Sequence, residues 1–514
     1  MPKKFFLTVT GASLIIIFFG AINKVLGMIR EIIFANNFGL SKSYELYLLS
    51  VVIPTVINTF IIYVGQNFFI PQYNLIKIQE GEIKARIFFN KALWLFFILG
   101  LFIALGILIS EEAILKLFTS ELTKSEFITA KKILVIILFT IPLNGLMAIL
   151  LAYLQAEYDF RNAFISHLFL NLTIILVVIL LTSVFGIYSI PIGFLLGTFL
   201  QVGFLFIFVR NKIVFQDLWS KKSDFLKQFP TEIFLMTVFI ELMGQLYVFI
   251  DRLFYPSVQV GGIAALNYAT TIYLIPISIL SMAFSSAIFP KFSETFATGK
   301  IAETENTFNS SMRITFFFFI PSSFVFILYA QPIVELLYHR GAFNTSDVVM
   351  TAEVLKIYGM SLVFFAAYAI INKLLFGIAA IKWLMLSSVT VIIVKIAASF
   401  LLVPGYQQKG LAAASSLSYL LYFVFGTAIV IKKLHLKKLS LPVIAFFITC
   451  VNAGFSILIV ELLSKYLFSS GLFFSLLKIG LFFSLFTINA WLIKDETMDI
   501  ANSLLIKSWK HISK

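Results

Sequence analysis

Three charged residues, Lys24, Arg30 and Glu31, lie in an apolar segment close to the start of the sequence. On a helix with about 100° between residues they share one side, an arc of about 120°, with Gly20, Asn23 and Gly27. Because a charge inside a bilayer is costly, such residues usually face a helix bundle or a water-filled cavity. The pattern predicts a cavity wall whose cations bind an anionic group. In the alternative, Lys24 and Arg30 extend to the two membrane interfaces, or Arg30 and Glu31 are surface charges at the outer end of the segment.

A second polar stripe occurs much later in the sequence. Glu241 and Arg252 are eleven positions apart, so they lie about 20° apart on a helix, and Asp251 adjoins Arg252. The stripe predicts either a cavity wall or a latch between two halves of the molecule, unless Asp251 and Arg252 form a terminal pair at the water surface. Lys373, in another apolar segment, is a further candidate for such a latch.

The composition places these residues in an integral membrane protein. Of the 514 residues, 60% are hydrophobic and 12% are charged, and the mean hydropathy is +1.00, whereas soluble domains carry roughly 25% charged residues. The one cysteine, Cys450, excludes a disulfide framework, and four unclustered histidines argue against a metal enzyme. No phosphate-binding GxxxxGK[ST] motif occurs. We therefore predict neither covalent chemistry nor a cofactor.

The apolar segments predict an all-α polytopic membrane protein with about fourteen transmembrane helices. The predicted spans are 14–35, 44–69, 92–109, 133–154, 164–182, 187–209, 232–254, 268–288, 314–330, 354–378, 384–402, 411–431, 441–463 and 472–493. With the N-terminus in the cytoplasm, the inner loops and both ends hold 24 Lys and Arg residues, and the outer loops hold 8. Positive charge is enriched in cytoplasmic loops, so both termini are predicted to be cytoplasmic. The net charge of +14 is thus a topology signal, and no nucleic-acid partner is predicted.

The chain also repeats itself at a constant offset. FFIPQYN after the second span matches AIFPKFS after the eighth, with Pro71 and Pro290 separated by 219 positions, as are Gly186 and Gly405. Six spans separate the copies, so two parallel six-helix lobes plus two C-terminal helices are predicted, an arrangement typical of transporters. The predicted parts are 1–213 (spans one to six), 214–434 (spans seven to twelve) and 435–514 (spans thirteen and fourteen and a cytoplasmic tail).

Several of these motifs together resemble one family. NKVLGMIRE followed by FG in the first span, YELYLLSVVIP in the second, ALNYATTIYLIP in the eighth and LYHRGAF after the ninth are similar to the MurJ/MviN lipid II flippases. These belong to the multidrug/oligosaccharidyl-lipid/polysaccharide exporter superfamily. The resemblance implies a cationic cavity between two lobes that receives the pyrophosphate and acidic sugar-peptide head of a lipid-linked peptidoglycan precursor.

The resemblance also assigns roles to single residues. Lys24 takes a position that is usually arginine, Arg30 matches a second cavity arginine, and Glu45 matches an acidic residue at the start of the second span. Two departures stand out. Asn58 replaces a usual arginine, and Thr270 with Thr271 replaces a usual Asp-Arg pair. We thus expect the cavity to be formed by Lys24, Arg30, Glu45, Asn58 and Arg252, and a gate or latch by Glu31, Glu241, Asp251, Arg340 and Lys373.

The LYHRGAF motif places Arg340 outside the membrane, between spans nine and ten. Gly341 suits a backbone turn, and Asn344 and Thr345 suit the N-cap of the helix that follows. We interpret the motif as a structural clip at the outer end of the second lobe. Direct contact of Arg340 with the substrate is the alternative.

These observations together predict a flippase of the bacterial cytoplasmic membrane. It would move an undecaprenyl-linked saccharide, lipid II first among them, from the inner to the outer leaflet by alternating access. The neutral Asn58, Thr270 and Thr271 keep open a flippase for an O-antigen- or capsule-type saccharide. A drug/cation antiporter would favour an acidic cavity, and a glycosyltransferase would favour a long acidic first outer loop. We expect a monomer among membrane lipids, with cell-wall synthesis proteins as protein partners.

Overall fold

The fold is helical throughout the part of the chain that the structure, a computed structural model, describes: residues 9–118, 122–219, 231–378, 380–434, 440–467 and 471–498. No strand occurs among these residues. The helices, numbered in chain order, are α1 Val9–Phe38, α2 Lys42–Ser50, α3 Val52–Glu80, α4 Glu82–Ile109, α5 Glu111–Phe118, α6 Lys124–Leu138, α7 Thr140–Ala156, α8 Phe160–Phe185, α9 Ser189–Val209, α10 Thr231–Leu253, α11 Gly262–Ala297, α12 Ile301–Leu328, α13 Ala330–Tyr338, α14 Thr345–Gly377, α15 Ile381–Leu434, α16 Ser440–Leu467 and α17 Leu472–Leu492.

Nine helical stretches of the described chain are long and apolar enough to cross a membrane. Two of them, Phe160–Lys212 and Lys382–Leu434, are 53 residues long, and each contains two predicted spans. The chain turns within Phe160–Lys212 at Gly186, which has a φ of 53°, and it bends within Lys382–Leu434 at Gln407, which has a φ of 50°. The prediction of an all-α polytopic membrane protein is thereby confirmed, while the number fourteen stays a prediction.

The second and fourth predicted spans are each divided into two helices. The breaks fall at Val51, between α2 and α3, and at Phe139, between α6 and α7. Pro54 and Pro142 are the third residues of the helices that follow. Proline is tolerated there because the N–H groups of a first helical turn have no partner within the helix. Hydropathy did not reveal these breaks, since apolar residues lie close by on both sides of each one.

The chain forms two compact units. The first comprises Met1–Ala264 with Gly341–Phe343, and the second comprises Ala265–Arg340 with Asn344–Lys514. The lobe boundaries drawn from the repeat and from the order of the spans stay a prediction.

An aromatic cluster from α3, α4 and α7 forms much of the core of the first unit. The rings of Phe69 and Phe88 stack with their centroids 5.5 Å apart, and Phe89 lies 4.5 Å from Tyr153. Gly145 of α7 lies so close to the backbone of α4 that a Cβ there would collide with it. The helix that carries Lys24 and Arg30, α1, packs mainly on α8.

The second unit has its own aromatic core, built from α12, α14, α15 and α16. Phe316 of α12 contacts Phe423 and Phe446 edge-on, with centroid distances of 6.3 and 5.3 Å. Glu461 of α16 accepts hydrogen bonds from the Tyr329 hydroxyl at 2.6 Å and from Lys478 of α17 at 3.4 Å. These bonds hold the C-terminal helices against the end of α12.

The bounds of several helices repeat the sequence offset. α4 and α12 are both 28 residues long, and their first residues, Glu82 and Ile301, are 219 positions apart. The short helices that follow, α5 and α13, also begin 219 positions apart. Equal lengths at an equal offset support an internal duplication.

Candidate functional site

Arg30 is held by hydrogen bonds to one residue of α1 and one residue of α8. Its Nε and Nη2 donate to Oε1 of Glu31 at 3.2 and 2.8 Å, and its Nη1 donates to Oδ1 of Asn171 at 3.3 Å. The side chain of Arg30 is 22% exposed and that of Glu31 is 10% exposed. The structure thus brings Arg30 and Glu31 together, on one side of α1 as the helical periodicity predicts.

The guanidinium of Arg30 lies over two aromatic rings. Its central carbon lies 5.8 Å from the ring centroid of Phe34 and 5.4 Å from that of Phe194. A cation over an aromatic face is stabilised by about 0.5–2 kcal/mol, the higher value applying where water is excluded. Sequence reasoning missed Asn171 and Phe194, because neither lies near Arg30 in the chain. The only local signal was that an intramembrane charge requires polar or aromatic partners.

Lys24 occupies a more open position on α1. It is exposed, and within the described part of the chain it makes no ion pair or hydrogen bond. The preceding residue, Asn23, donates from Nδ2 to the carbonyl of Phe164 in α8 at 3.4 Å. The polar arc therefore has a side fixed to α8 and a side, at Lys24, that remains accessible to an anion.

Glu45 caps a helix rather than projecting into open space. It is 1% exposed, and its Oε1 accepts a hydrogen bond from the backbone N–H of Ile263 at 3.0 Å, within the first unit. Ile263 lies in the first turn of α11, whose N–H groups lack partners within the helix. The side chain thus satisfies a helix start, and its predicted place in the cavity stays a prediction.

Asn58 is half-buried in α3 and holds the break between α6 and α7. Its Nδ2 donates to the hydroxyl of Thr140 at 3.0 Å, and that hydroxyl donates to the carbonyl of Ile137 at 2.6 Å. The Oδ1 of Asn58 is buried and has no hydrogen-bond partner among the described residues. A neutral amide thus has a structural role where the family resemblance implies a cation.

The predicted stripe of α10 is only partly defined by the contacts in the structure. Oε1 of Glu241 accepts a hydrogen bond from Nε2 of Gln245 one turn later, at 2.6 Å. Asp251 and Arg252 are both half-buried at the end of the helix. This arrangement is compatible with a polar cavity wall, and the latch stays a prediction.

The segment after α13 forms the turn that the sequence predicts, and its residues Gly341–Phe343 belong to the first unit, as does Asn36. Gly341 has a φ of 56°, and a Cβ there would collide with the backbone carbonyl and side-chain amide of Asn36. The N–H of Ala342 donates to the Asn36 carbonyl at 2.8 Å. Asn344 caps α14 by accepting from the N–H groups of Ser346 and Asp347 at 2.8 and 3.1 Å.

Arg340 itself is exposed, and its Nη2 donates to the carbonyl of Leu336 at 2.6 Å. That bond satisfies a carbonyl at the end of the preceding helix, α13, and supports a structural role. In the second unit, Lys373 is half-buried in α14. Thr270 and Thr271 are half-buried in α11, where the Thr271 hydroxyl donates to the carbonyl of Asn267 at 3.0 Å.

Comparison with known proteins places this arrangement in a family. A sequence profile described as "Lipid II flippase MurJ" matches residues 34–482. The chain belongs to the lipid II flippase MurJ family. The matched range begins after Glu31 and therefore does not include Lys24, Arg30 or Glu31. The assignment of these three residues to the predicted site depends on the contacts of α1.

Relatives in this family cover most of the chain. The probable lipid II flippase MurJ of Buchnera aphidicola subsp. Acyrthosiphon pisum is 25% identical over 81% of this chain and 82% of its own length. That of Aquifex aeolicus is 26% identical over 69% of this chain and 70% of its own. Both relatives are thus similar to this chain over more than two thirds of its length.

Solved structures share the fold. A lipid II flippase MurJ in an inward closed conformation has a TM-score of 0.78 and 22% identity, and covers 93% of this chain and 98% of its own. An inward-facing multidrug resistance transporter of the MATE family has a TM-score of 0.68 and 12% identity over 80% of this chain and 94% of its own. The described chain therefore shares its fold with these two membrane transporters.

Proposed function

We propose that this protein moves a polyprenyl-pyrophosphate-linked saccharide, of the lipid II type, from the inner to the outer leaflet of the bacterial cytoplasmic membrane. Family membership supports the transport of lipid II, since the relatives bear that name. Alternating access of the two predicted lobes would carry the polar head across, while the polyprenyl chain stays in lipid. No bond of the substrate is made or broken in this process.

The observation that carries the proposal is the polar face of α1. An exposed Lys24 and a held Arg30 lie six residues apart on that face, inside an otherwise apolar helix. A pyrophosphate group requires such cations, and arginine binds phosphate oxygens with two parallel N–H groups. In this proposal, Lys24 attracts the pyrophosphate and Arg30 holds it in a defined orientation.

The orientation in the membrane is part of the proposal. The excess of Lys and Arg in alternate loops supports cytoplasmic N- and C-termini. The Lys77–Glu157 pair, at 2.7 Å, would then lie on the cytoplasmic side, where the substrate enters.

A second candidate differs only in the saccharide. The amide of Asn58 is bonded to Thr140, so one cation expected from the family is absent from the first unit. A head group with less negative charge than that of lipid II would fit such a cavity. This favours an O-antigen- or capsule-type saccharide as the alternative substrate.

Depletion of the protein in its own cells distinguishes the two. Accumulation of lipid II in the inner leaflet, measured by access of an added enzyme to its sugar-peptide head, is the expected result. Accumulation of a different undecaprenyl-linked saccharide, with lipid II still reaching the outer leaflet, would replace the first candidate with the second. Normal distribution of both lipids would contradict the flippase proposal.

A further inference from the structure

The forked guanidinium group of Arg30 donates hydrogen bonds from two of its edges to partners of different kinds. The edge formed by Nε and Nη2 donates to one carboxylate oxygen of Glu31. Nη1 donates instead to the neutral amide oxygen of Asn171, in α8. A guanidinium has five N–H groups, so among the contacts described two remain for another acceptor.

The Glu31 carboxylate is an incomplete partner. Its Oε1 receives both bonds from Arg30, whereas its Oε2 is buried and has no hydrogen-bond partner among the described residues. A buried acceptor without a partner is unfavourable. The two are also adjacent in sequence, so their bond joins no separate elements. Loss of this bond would therefore separate no helices.

Asn171 is placed by helix packing rather than by a loop. Asn23 bonds to Phe164, and Arg30 bonds to Asn171. Both pairs are 141 positions apart, and the two bonds are seven residues apart along each helix. α1 and α8 therefore lie side by side in one register for two turns, and this register sets the distance from Asn171 to Arg30.

Phe194 is placed by an unusually close contact between α8 and α9. A Cβ on Gly193 would lie 3.1 Å from the Cα of Ile174, and one on Gly197 would lie 3.0 Å from the carbonyl oxygen of Leu170. Glycines four residues apart let membrane helices approach closely. Leu170 adjoins Asn171 and Gly193 adjoins Phe194, so this contact fixes the amide and the ring relative to each other.

We infer that Asn171 and Phe194 are positioning residues that hold the guanidinium of Arg30 while its Nε–Nη2 edge exchanges Glu31 for a substrate phosphate. The two partners are uncharged, so they orient the cation without neutralising it. The ring of Phe194, 5.4 Å from the guanidinium carbon, restricts the position of the guanidinium, and the bond to Asn171 restricts its rotation. This inference rests on the proposed function, in which Arg30 binds pyrophosphate.

The binding test uses the full-length protein in nanodiscs, titrated with undecaprenyl pyrophosphate. Asn171→Ala and Phe194→Leu should each raise the Kd about three- to tenfold, because a hydrogen bond to a charged group or a cation–aromatic contact is lost. In an Arg30→Lys background, Asn171→Ala should change the Kd less than about twofold, because an ammonium has no fork to orient. Phe204→Leu, a neighbouring α9 ring that contacts Phe169, is the matched control and should bind normally.

Equal effects of Asn171→Ala in both backgrounds would overturn the inference, because the residue would then act independently of Arg30. So would a wild-type Kd in both the Asn171→Ala and the Phe194→Leu variants. If Arg30→Ala binds as tightly as wild type, it is instead the assignment of Arg30 in the proposed function that fails.

A second measurement tests the positioning without any lipid. Phenylglyoxal reacts with accessible arginines, and mass spectrometry of the Arg30 peptide reports the rate. Arg30 should be modified several-fold faster in Asn171→Ala and Phe194→Leu than in wild type or Phe204→Leu. An unchanged rate in both variants would show that neither residue restrains the guanidinium.

Discussion

Two ion pairs in the first unit, Arg30–Glu31 and Lys77–Glu157, differ in how fully their carboxylates are hydrogen-bonded. Oε1 of Glu157 accepts from the Tyr73 hydroxyl and from Lys77, both at 2.7 Å, and its Oε2 accepts from Lys77 at 2.9 Å. The pair joins residues 80 positions apart. In contrast, Glu31 uses one oxygen only, toward its own neighbour in sequence. The Lys77–Glu157 pair can therefore stabilise the fold, whereas the Arg30–Glu31 pair contributes little to it and is available for function.

A third pair resembles the structural one. Oδ2 of Asp217 accepts from Nε of Arg86 and from Nδ2 of Asn90, both at 3.0 Å, and Asp217 is 6% exposed. Asn90 also accepts from the N–H of Val214 at 3.0 Å. This network fixes the segment after α9 to α4. A fully bonded carboxylate again joins distant parts of the chain.

The largest expected effect distinguishes the two kinds of pair directly. Arg30→Ala should lower transport per folded molecule about a hundredfold, because loss of one partner of a partly buried charged contact typically costs 2–5 kcal/mol. Lys77→Ala, the matched control, should leave transport per folded molecule near wild type. Growth of depleted cells, normalised to the amount of folded protein, measures both. The comparison fails if the two variants behave alike.

Gly341→Val extends the comparison to a contact that has no charge. The φ of 56° is unfavourable for a β-branched residue, and any Cβ would collide with Asn36. We expect a loss of about 3 kcal/mol or more of stability, seen as reduced folded protein by size-exclusion chromatography. Gly106→Val is the control, since a Cβ there meets nothing within 4 Å. Equal yields of the two variants would show that the turn is dispensable.

Asp217→Asn should lower stability while leaving transport per folded molecule unchanged. An asparagine amide is uncharged and has one acceptor oxygen, so it cannot replace both carboxylate oxygens toward Arg86 and Asn90. We expect the free energy of unfolding to fall by about 1–3 kcal/mol. Thermal unfolding followed by fluorescence in detergent measures the change. Wild-type thermal stability would mean that this network does not hold the segment after α9.

Acid should weaken the Lys77–Glu157 pair. Burial raises the pKa of the Glu157 carboxyl, but the hydrogen bonds from Lys77 and Tyr73 and the charge of Lys77 outweigh this, so its pKa is lowered overall. A lowered folded-state pKa contributes stability above the unfolded value, about 4.3 for Glu, and this stability is lost as the pH falls through the folded value. The wild-type Tm should therefore fall more steeply than that of Glu157→Gln below about pH 4.5. Parallel curves would contradict this.

The smallest expected effect is that of Lys24→Arg, with a charge-reversing variant at the same position as its control. Lys24→Arg should change transport by less than about twofold, because the position is exposed and the guanidinium retains the charge. Lys24→Glu, which reverses the charge at the same position, should abolish transport. The same assay in depleted cells measures both. A severe defect in Lys24→Arg would show that the position requires a compact ammonium rather than any cation.

The polar face of α1 was predictable because it depends on local periodicity alone. The membrane class and helical fold followed from composition and from the length of the apolar segments. The partners of Arg30 were not predictable, since Asn171 lies 141 positions away and its approach depends on the packing of α1 against α8. The partner of Glu45 was not predictable either, because it accepts from Ile263, 218 positions away, and the local sequence carries no signal for that contact.

The breaks at Val51 and Phe139 show a different limit. Pro54 and Pro142 are visible in the sequence, but proline is common within membrane helices and does not by itself mark a boundary. The turn at Gly341 was predictable from the residue type, whereas its partner Asn36 was not. Local conformation could therefore be predicted in several places where tertiary contacts could not.

The central claim is that the cations of α1 move a pyrophosphate-linked lipid, and reconstitution tests it most directly. Purified protein is placed in liposomes that contain fluorescent lipid II, and a membrane-impermeant quencher reports the fraction in the outer leaflet over time. Wild type and Glu157→Gln should equilibrate the lipid between leaflets, whereas the Lys24→Ala/Arg30→Ala variant should not exceed protein-free liposomes. Transport by that double variant at the wild-type rate would contradict the account.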